Sequence, residues 1–350
     1  MEEIALQVVA FLAGVFLVIV TLSAAIRSFV LPRNESVLLN AWVFQGIRFF
    51  FDLAAGLSRT YSRRDKIEAH YAPVALVTLP IIWLTVVTAG FTLIYWGLGE
   101  RDWLDCFQLS GSSLLTLGTH KTRGAVVTVF TFAEATMGLL LMTLLISYLP
   151  TIYQAFSRRE LVVARLELRA GAPTSACTLL TWLNRSGSLL DDDEQWERWE
   201  EWFMEIEESH TSLPIISFFR SPQPGRSWVT AAGLILDTAA LMFSVAEGPR
   251  SRQAELTFKA GCIALNRVYR FFDERGRTGP TSLIEDNDPI EDPERADFDH
   301  VCEELQANGF QLRPNRDEAW QQYHTLRSRY REALDFLARL TVAPELKAVR

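Results

Sequence analysis

The sequence predicts an all-α chain in two parts. Three membrane-spanning helices, one interfacial helix and one short re-entrant helix come first, and an acidic helical domain follows. Three observations predict this. Long apolar runs crowd the first part. Charge is divided unevenly: residues 1–157 carry ten Lys+Arg and ten Asp+Glu, whereas 158–350 carry 24 and 32, so the whole net charge of -8 falls in the second part. Apolar residues in that second part recur at helical rather than strand spacing. The mean hydropathy of +0.10 therefore averages two unlike objects. The expected divisions are 1–66, a spanning helix plus an amphipathic one; 67–157, two spanning helices around a re-entrant segment; and 158–350, the acidic domain. A hydrophobic content of 49% excludes disorder, and the acidic balance excludes a nucleic-acid binder driven by bulk positive charge.

Between Ile4 and Ile26 the only strongly polar residue is Gln7. About 20 apolar residues cross a hydrocarbon core, so this stretch predicts a spanning helix. Its acidic start, Glu2 and Glu3, lacks the basic region of a signal peptide, so it is expected to be retained. Val37 to Leu57 differs, because Asn40, Gln45, Arg48 and Asp52 interrupt it. Positions 41, 45, 48 and 52 share one helical face, and Trp42, Phe49, Phe50 and Leu53 lie opposite. That is the pattern of a helix lying in the membrane surface. A spanning helix with Arg48 and Asp52 paired inside a bundle is the other reading.

Two further apolar helices are expected, from Tyr71 to Leu98 with Pro73 and Pro80 inside, and from Gly124 to about Tyr153. Segment 27–66 carries seven Lys+Arg, and Arg158 and Arg159 follow the last helix. Placing both groups in the cytoplasm satisfies the positive-inside rule. The expectation is a multi-pass protein of the cell membrane with an external N-terminus and a cytoplasmic C-terminal domain, in which Trp96 and Trp103 join the outer aromatic belt.

Between those helices, residues 99–123 begin with an acidic, Trp-containing stretch and end in Ser112-Ser-Leu-Leu-Thr-Leu-Gly-Thr-His-Lys121. The apolar part is too short to span a bilayer. Irregular backbone at membrane depth survives only where it is buried in protein or lines a water path. Helix, short re-entrant helix, loop, helix is thus the outline of a pore. Here the chain resembles the two-helix pore module of the potassium-channel superfamily, as found in bacterial proteins of the potassium channel family. Thr116-Leu117-Gly118-Thr119-His120 falls where that family has its Thr-Val-Gly-Tyr-Gly filter, and Glu134 to Gly138 resembles the glycine-hinge region of the inner helix. The resemblance covers about residues 71–160. It implies a homotetramer, because one pore segment supplies a quarter of a ring of carbonyls. It also implies permeant monovalent cations, K⁺ and/or Na⁺, an ion filter at Thr116–His120, an outer mouth at Asp102, Asp105 and Lys121, and an inner-helix gate at Glu134 and Gly138.

The chain departs from the family pattern in ways that weaken strict K⁺ selectivity. Glycine permits the positive φ that turns alternate carbonyls inward; Gly118 keeps one such position, and His120 replaces the other at a steric cost. Thr119 stands where the family has its packing tyrosine. Lys121 would place four positive charges near the mouth of a tetramer. A second reading is a non-conducting or anion-tolerant sensor or interaction protein on the same scaffold. Glu134 is the only acid between Gly124 and Tyr153. It is either functional or a hydrogen-bonded brace for the loop. Gly138 is either a hinge or a site of close helix packing.

The second half reads as helices at 160–170, 176–183, 191–209, 229–245, 251–273, 295–308 and 314–341. Trp196, Trp199, Phe203 and Ile206 form a core stripe. Asp237 marks 229–245 as a buried helix rather than a span. Leu213 to Trp228 and Gly276 to Pro293 read as loops, the first with Arg220 and Arg226, residues suited to catching a phosphate or to structural roles. Residues 191–208 and 285–304 each hold ten acids and one Arg. They lack the EF-hand pattern and read as solvated faces. Glu207/His210 and Asp297/His300 sit at i, i+3, but the paired Glu-x-x-His needed for a two-metal bundle is incomplete. Cys106, Cys177, Cys262 and Cys302 form no CxxC and read as idle thiols. No Walker A, nucleophile elbow or kinase set is present, so neither catalysis nor a cofactor is expected.

Overall fold

Within a hydrocarbon layer a backbone must satisfy its own hydrogen bonds, so apolar runs of this length fold as helices. The computed structural model describes residues 2–29, 38–56, 66–99, 102–120, 124–171, 174–185, 193–223, 225–247, 251–273 and 293–344. Lys121 lies outside them, as do most of the loop 276–293 and the basic residues Arg33, Arg59, Arg63 and Arg64. Among the described residues all regular structure is helical, apart from one isolated antiparallel bridge between Ala246 and Leu312. The chain divides into two units, Met1–Gln154 and Ala155–Arg350.

The first unit contains α1 (Glu2–Phe29), α2 (Leu38–Gly56), α3 (Tyr71–Gly97), α4 (Trp103–Leu114) and the first part of α5 (Ala125–Ala170). Small residues bring α1 and α3 into backbone contact. A Cβ on Gly14 would lie 2.4 Å from the Gly90 carbonyl oxygen, and one on Gly90 2.8 Å from Val18. Such small-residue contacts replace the hydrophobic drive that lipid does not supply. Trp83, Val87, Phe91 and Ile94 of α3 close the core against Cys106, Leu109 and Leu114 of α4. On α2, Val43, Phe44 and Ile47 pack into this core, while Arg48 pairs with Asp52 at 3.0 Å, reaches Glu68 at 3.9 Å and stacks over the Tyr71 ring. Trp42, Phe49, Phe50 and Leu53 are exposed. Apolar residues therefore stand on both the covered and the uncovered sides of α2, and Gln45 and Asp52 are exposed.

The second unit is built around α8 (Trp228–Val245), preceded by α6 (Ala176–Arg185), α7 (Asp193–Ser212) and a 3₁₀ turn, Pro214–Phe218. It is followed by α9 (Arg252–Asp273), α10 (Pro293–Ala307), α11 (Arg316–Arg327) and α12 (Arg331–Thr341). Among the described residues four helices are long and apolar enough to cross a membrane: α1, α3, α5 and α8. Most of the apolar stretch is uncovered in the first three (28%, 44% and 22% buried), whereas α8 is 94% buried. It is therefore a core helix wrapped by amphipathic neighbours. Trp196, Trp199, Trp202, Phe203 and Ile206 of α7 all pack into that core.

Asp237 explains itself here. Its carboxylate accepts from the Tyr330 hydroxyl at 2.5 Å and pairs with Arg327 at 3.4 Å. The same contact breaks the helix expected over 314–341. Ser328–Tyr330 form a turn, the Arg329 carbonyl accepts from Asn266, and Tyr330 is drawn onto α8. The segment expected as a loop after Leu213 instead opens with the 3₁₀ turn, whose carbonyls are gathered by Arg159. Its guanidinium donates to Ile216 at 2.8 Å and Phe219 at 2.7 Å, and it is 3% exposed.

Candidate functional site

The site is built where α4 ends. At 1.5 Å per residue its 12 residues span about 18 Å, too short to cross a bilayer. Asp102 holds the N-cap position with extended backbone, and Asp105 sits in the first turn; both are exposed. After Leu114 the chain turns back. Leu115 to His120 are all exposed, with Leu117 at 64%.

One residue of α4 fixes the return segment. The Ser112 carbonyl accepts from the amides of Leu117 at 2.8 Å and Gly118 at 3.4 Å, and the Ser112 hydroxyl accepts from the Thr119 amide at 2.8 Å. A trans peptide plane sets each carbonyl opposite the following N–H. Three successive N–H groups aimed at Ser112 therefore turn the carbonyls of Thr116, Leu117 and Gly118 away from α4. Side chains extend the tie. Thr119 Oγ1 lies 3.0 Å from Ser112 Oγ and 3.1 Å from His120 Nδ1, and His120 Nε2 lies 3.1 Å from Gln108 Oε1. The segment thus climbs back along α4 toward the turn that carries Asp105.

Backbone strain falls at a different residue from the one expected. Gly118 has φ +67°, but the second positive φ belongs to Thr116, at +56°. His120 is not in that region, and its ring meets Thr119 and Gln108. The two positive φ values still alternate, at 116 and 118, and Thr116 carries the cost of its Cβ.

Glu134 and Gly138 both meet α4. The Glu134 carboxyl is fully buried and accepts from the Tyr95 hydroxyl at 2.6 Å and the Ser110 hydroxyl at 2.5 Å. Ser110 also lies 3.1 Å from the Thr88 carbonyl of α3. This one carboxyl therefore joins α3, α4 and α5. One turn on, a Cβ added to Gly138 would stand 2.1 Å from the Leu114 carbonyl oxygen. The contacts step by four residues on each helix, from 134 to 138 and from 110 to 114, so α4 and α5 pass each other in the same sense. Gly138 is where α5 rests directly on the last carbonyl of α4, a close-packing contact. Trp96 and Trp103 meet edge to face with ring centres 6.4 Å apart.

Ser112, Ser110, Gln108 and Tyr95 were not singled out from sequence. The available signal was the run Ser110-Gly-Ser-Ser113 in an otherwise apolar helix, since buried hydroxyls require partners. The helical unit shows no comparable arrangement for a metal. Among the described residues no group of three or more His, Cys, Asp or Glu side chains is gathered to hold one. Glu207 pairs with Arg267, while His210 faces the core against Trp228. The acidic face of α7 is met by Gln253 at Glu200 and by Arg158 at Glu205. Burial pushes the Cys177 and Cys262 thiols up to about 12 and Cys302 up to about 11, which keeps them protonated and unreactive. Comparison with family models, with curated proteins and with solved structures returned no match to this chain.

Proposed function

We propose that this chain is one subunit of a homotetrameric membrane ion channel that conducts monovalent cations, K⁺ and/or Na⁺. The observation that carries the reading is the return segment, whose Thr116, Leu117 and Gly118 carbonyls turn away from α4 while their amides are held on Ser112. Carbonyls arrayed this way replace the hydration shell of a cation when four copies face one axis. The α4 C-terminus adds the negative end of its dipole beneath them. The uncovered apolar surfaces of α1, α3 and α5 require lipid and neighbouring copies. α2, with its apolar face outward, serves as an interfacial anchor. In this reading Asp102 and Asp105 attract cations at the outer entrance, α5 carries the gate, and its continuation into the cytoplasmic helical unit provides the covalent link for gating.

Reversal potentials of the purified protein in planar bilayers under K⁺, Na⁺ and Cl⁻ gradients test this. Cation-selective current is expected. Ser112→Ala, which removes the acceptor of the Thr119 amide, should lower the cation-to-anion permeability ratio several-fold. Absence of current, or selectivity for Cl⁻, overturns the reading in favour of a sensor or interaction protein built on the same scaffold.

A further inference from the structure

The segment that follows the 3₁₀ turn forms a cleft against the start of α8. Ser217, Arg220, Ser221, Arg226, Ser227 and Trp228 line it. Ser227 caps α8, its hydroxyl accepting from the Val229 amide at 3.2 Å. The other first-turn amides of this 18-residue helix have no intrahelical acceptor and point out of the helix start, together with the positive end of its dipole. Arg220 is fixed at the rim by donating to the carbonyls of Thr341 at 2.9 Å and Val342 at 3.0 Å. Arg226 is held by Glu167 of α5.

Among the described residues two hydroxyls in this cleft have no hydrogen-bond partner. Ser217 is 1% exposed, and neither its Oγ nor that of Ser221 has a hydrogen-bond partner among the described residues. A buried hydroxyl without a partner costs stability, so its retention beside two guanidinium groups and a helix N-terminus points to an acceptor that arrives from outside. Trp228 keeps the wall rigid, its indole N–H donating to the Ser217 carbonyl at 3.2 Å.

We infer that this cleft binds a phosphate group, received by the Ser217 and Ser221 hydroxyls, the Arg220 and Arg226 guanidiniums and the first turn of α8. A tetrahedral oxyanion presents acceptors in several directions, as convergent hydroxyl, amide and guanidinium donors require. Free phosphate and a lipid phosphomonoester share this chemistry. The site stands independently of whether the return segment conducts. An occupant would be read out by α5, since Arg159 gathers the carbonyls of the 3₁₀ turn and Glu167 holds Arg226.

The test is a calorimetric titration of the full chain in detergent, with inorganic phosphate in one arm and short-chain phosphatidic acid in the other. Saturable binding is expected in at least one arm, and the tighter arm identifies the source. Ser217→Ala combined with Ser221→Ala should weaken binding by about tenfold or more. The double variant should leave the ligand-free Tm unchanged or raised, because it deletes hydroxyls with no hydrogen-bond partner among the described residues. Arg226→Gln should weaken binding likewise. No saturable binding in either arm, or binding equal in the double variant, overturns the inference.

Discussion

Glu134 and Asp237 are both carboxylates sealed inside long apolar helices, at 0% and 6% exposure, but they are met in different ways. The Glu134 hydrogen bonds come from two hydroxyls, Tyr95 and Ser110. Asp237 faces a hydroxyl and a guanidinium, Tyr330 and Arg327. In the first unit the donors are neutral groups already on neighbouring helices. In the second, a full cation has been brought into the core. A buried carboxylate met by hydroxyls joins helices through geometry, whereas one met by arginine also holds a charge whose loss strands its partner.

Neutral isosteres separate the two cases. Asp237→Asn removes the carboxylate charge that faces the buried Arg327 and should cost about 3–5 kcal/mol in the stability of the helical unit. Thermal or denaturant unfolding monitored on the Trp-rich α7 measures this. Glu134→Gln keeps an acceptor and offers an amide to hydroxyls that accept as readily as they donate, so it should cost about 1 kcal/mol. If Glu134→Gln proves as costly as Asp237→Asn, the contrast between the units fails and the Glu134 charge itself matters.

A smaller effect sharpens the second case through pH. Burial, and then the Arg159 guanidinium 3.4 Å away, hold the His210 imidazole well below its ordinary value. Folded His210 is neutral where the unfolded chain begins to protonate, so the unfolded state binds more protons below about pH 6.5. The stability contributed by neutral His210 is present above that pH and is lost as pH falls below it. The slope attributable to this residue reaches about 1.4 kcal/mol per pH unit. Unfolding curves of the wild type and His210→Gln between pH 8 and 5 should diverge with that sign, and parallel curves would remove His210 from the account.

The helices were legible because their causes are local. An apolar run long enough to cross a membrane has one viable backbone, and the stripe at Trp196, Trp199, Phe203 and Ile206 repeats at 3.6 residues. The exposed apolar residues of α2, Trp42, Phe49, Phe50 and Leu53, were equally readable as one helical face. What escaped depended on partners distant in sequence. Nothing around Arg159 indicates that it will gather carbonyls 57 and 60 residues away. The turn at Ser328–Tyr330 interrupts a stretch with good helical periodicity because Asp237, 93 residues back, claims the Tyr330 hydroxyl. In the site itself, Gly118 announced its backbone, whereas the strain at Thr116 and the triple role of Ser112 arise only once the chain has doubled back on α4.

The position of Arg159 has a practical consequence for dividing the molecule. The second unit begins at Ala155, four residues before this arginine. A soluble fragment cut at Glu160 would keep all the helices from α6 onward and still lose the group that shapes Pro214–Phe218. Without it the Ile216 carbonyl keeps the Phe219 amide but loses the guanidinium, the Phe219 carbonyl loses the Arg159 donor, and the wall of the proposed phosphate cleft loses that support. The domain is thus not delimited by where the hydrophobic run ends. Its first indispensable side chain belongs to a helix that starts in the other unit, so an autonomous fragment must retain a short piece of α5 as part of its own fold.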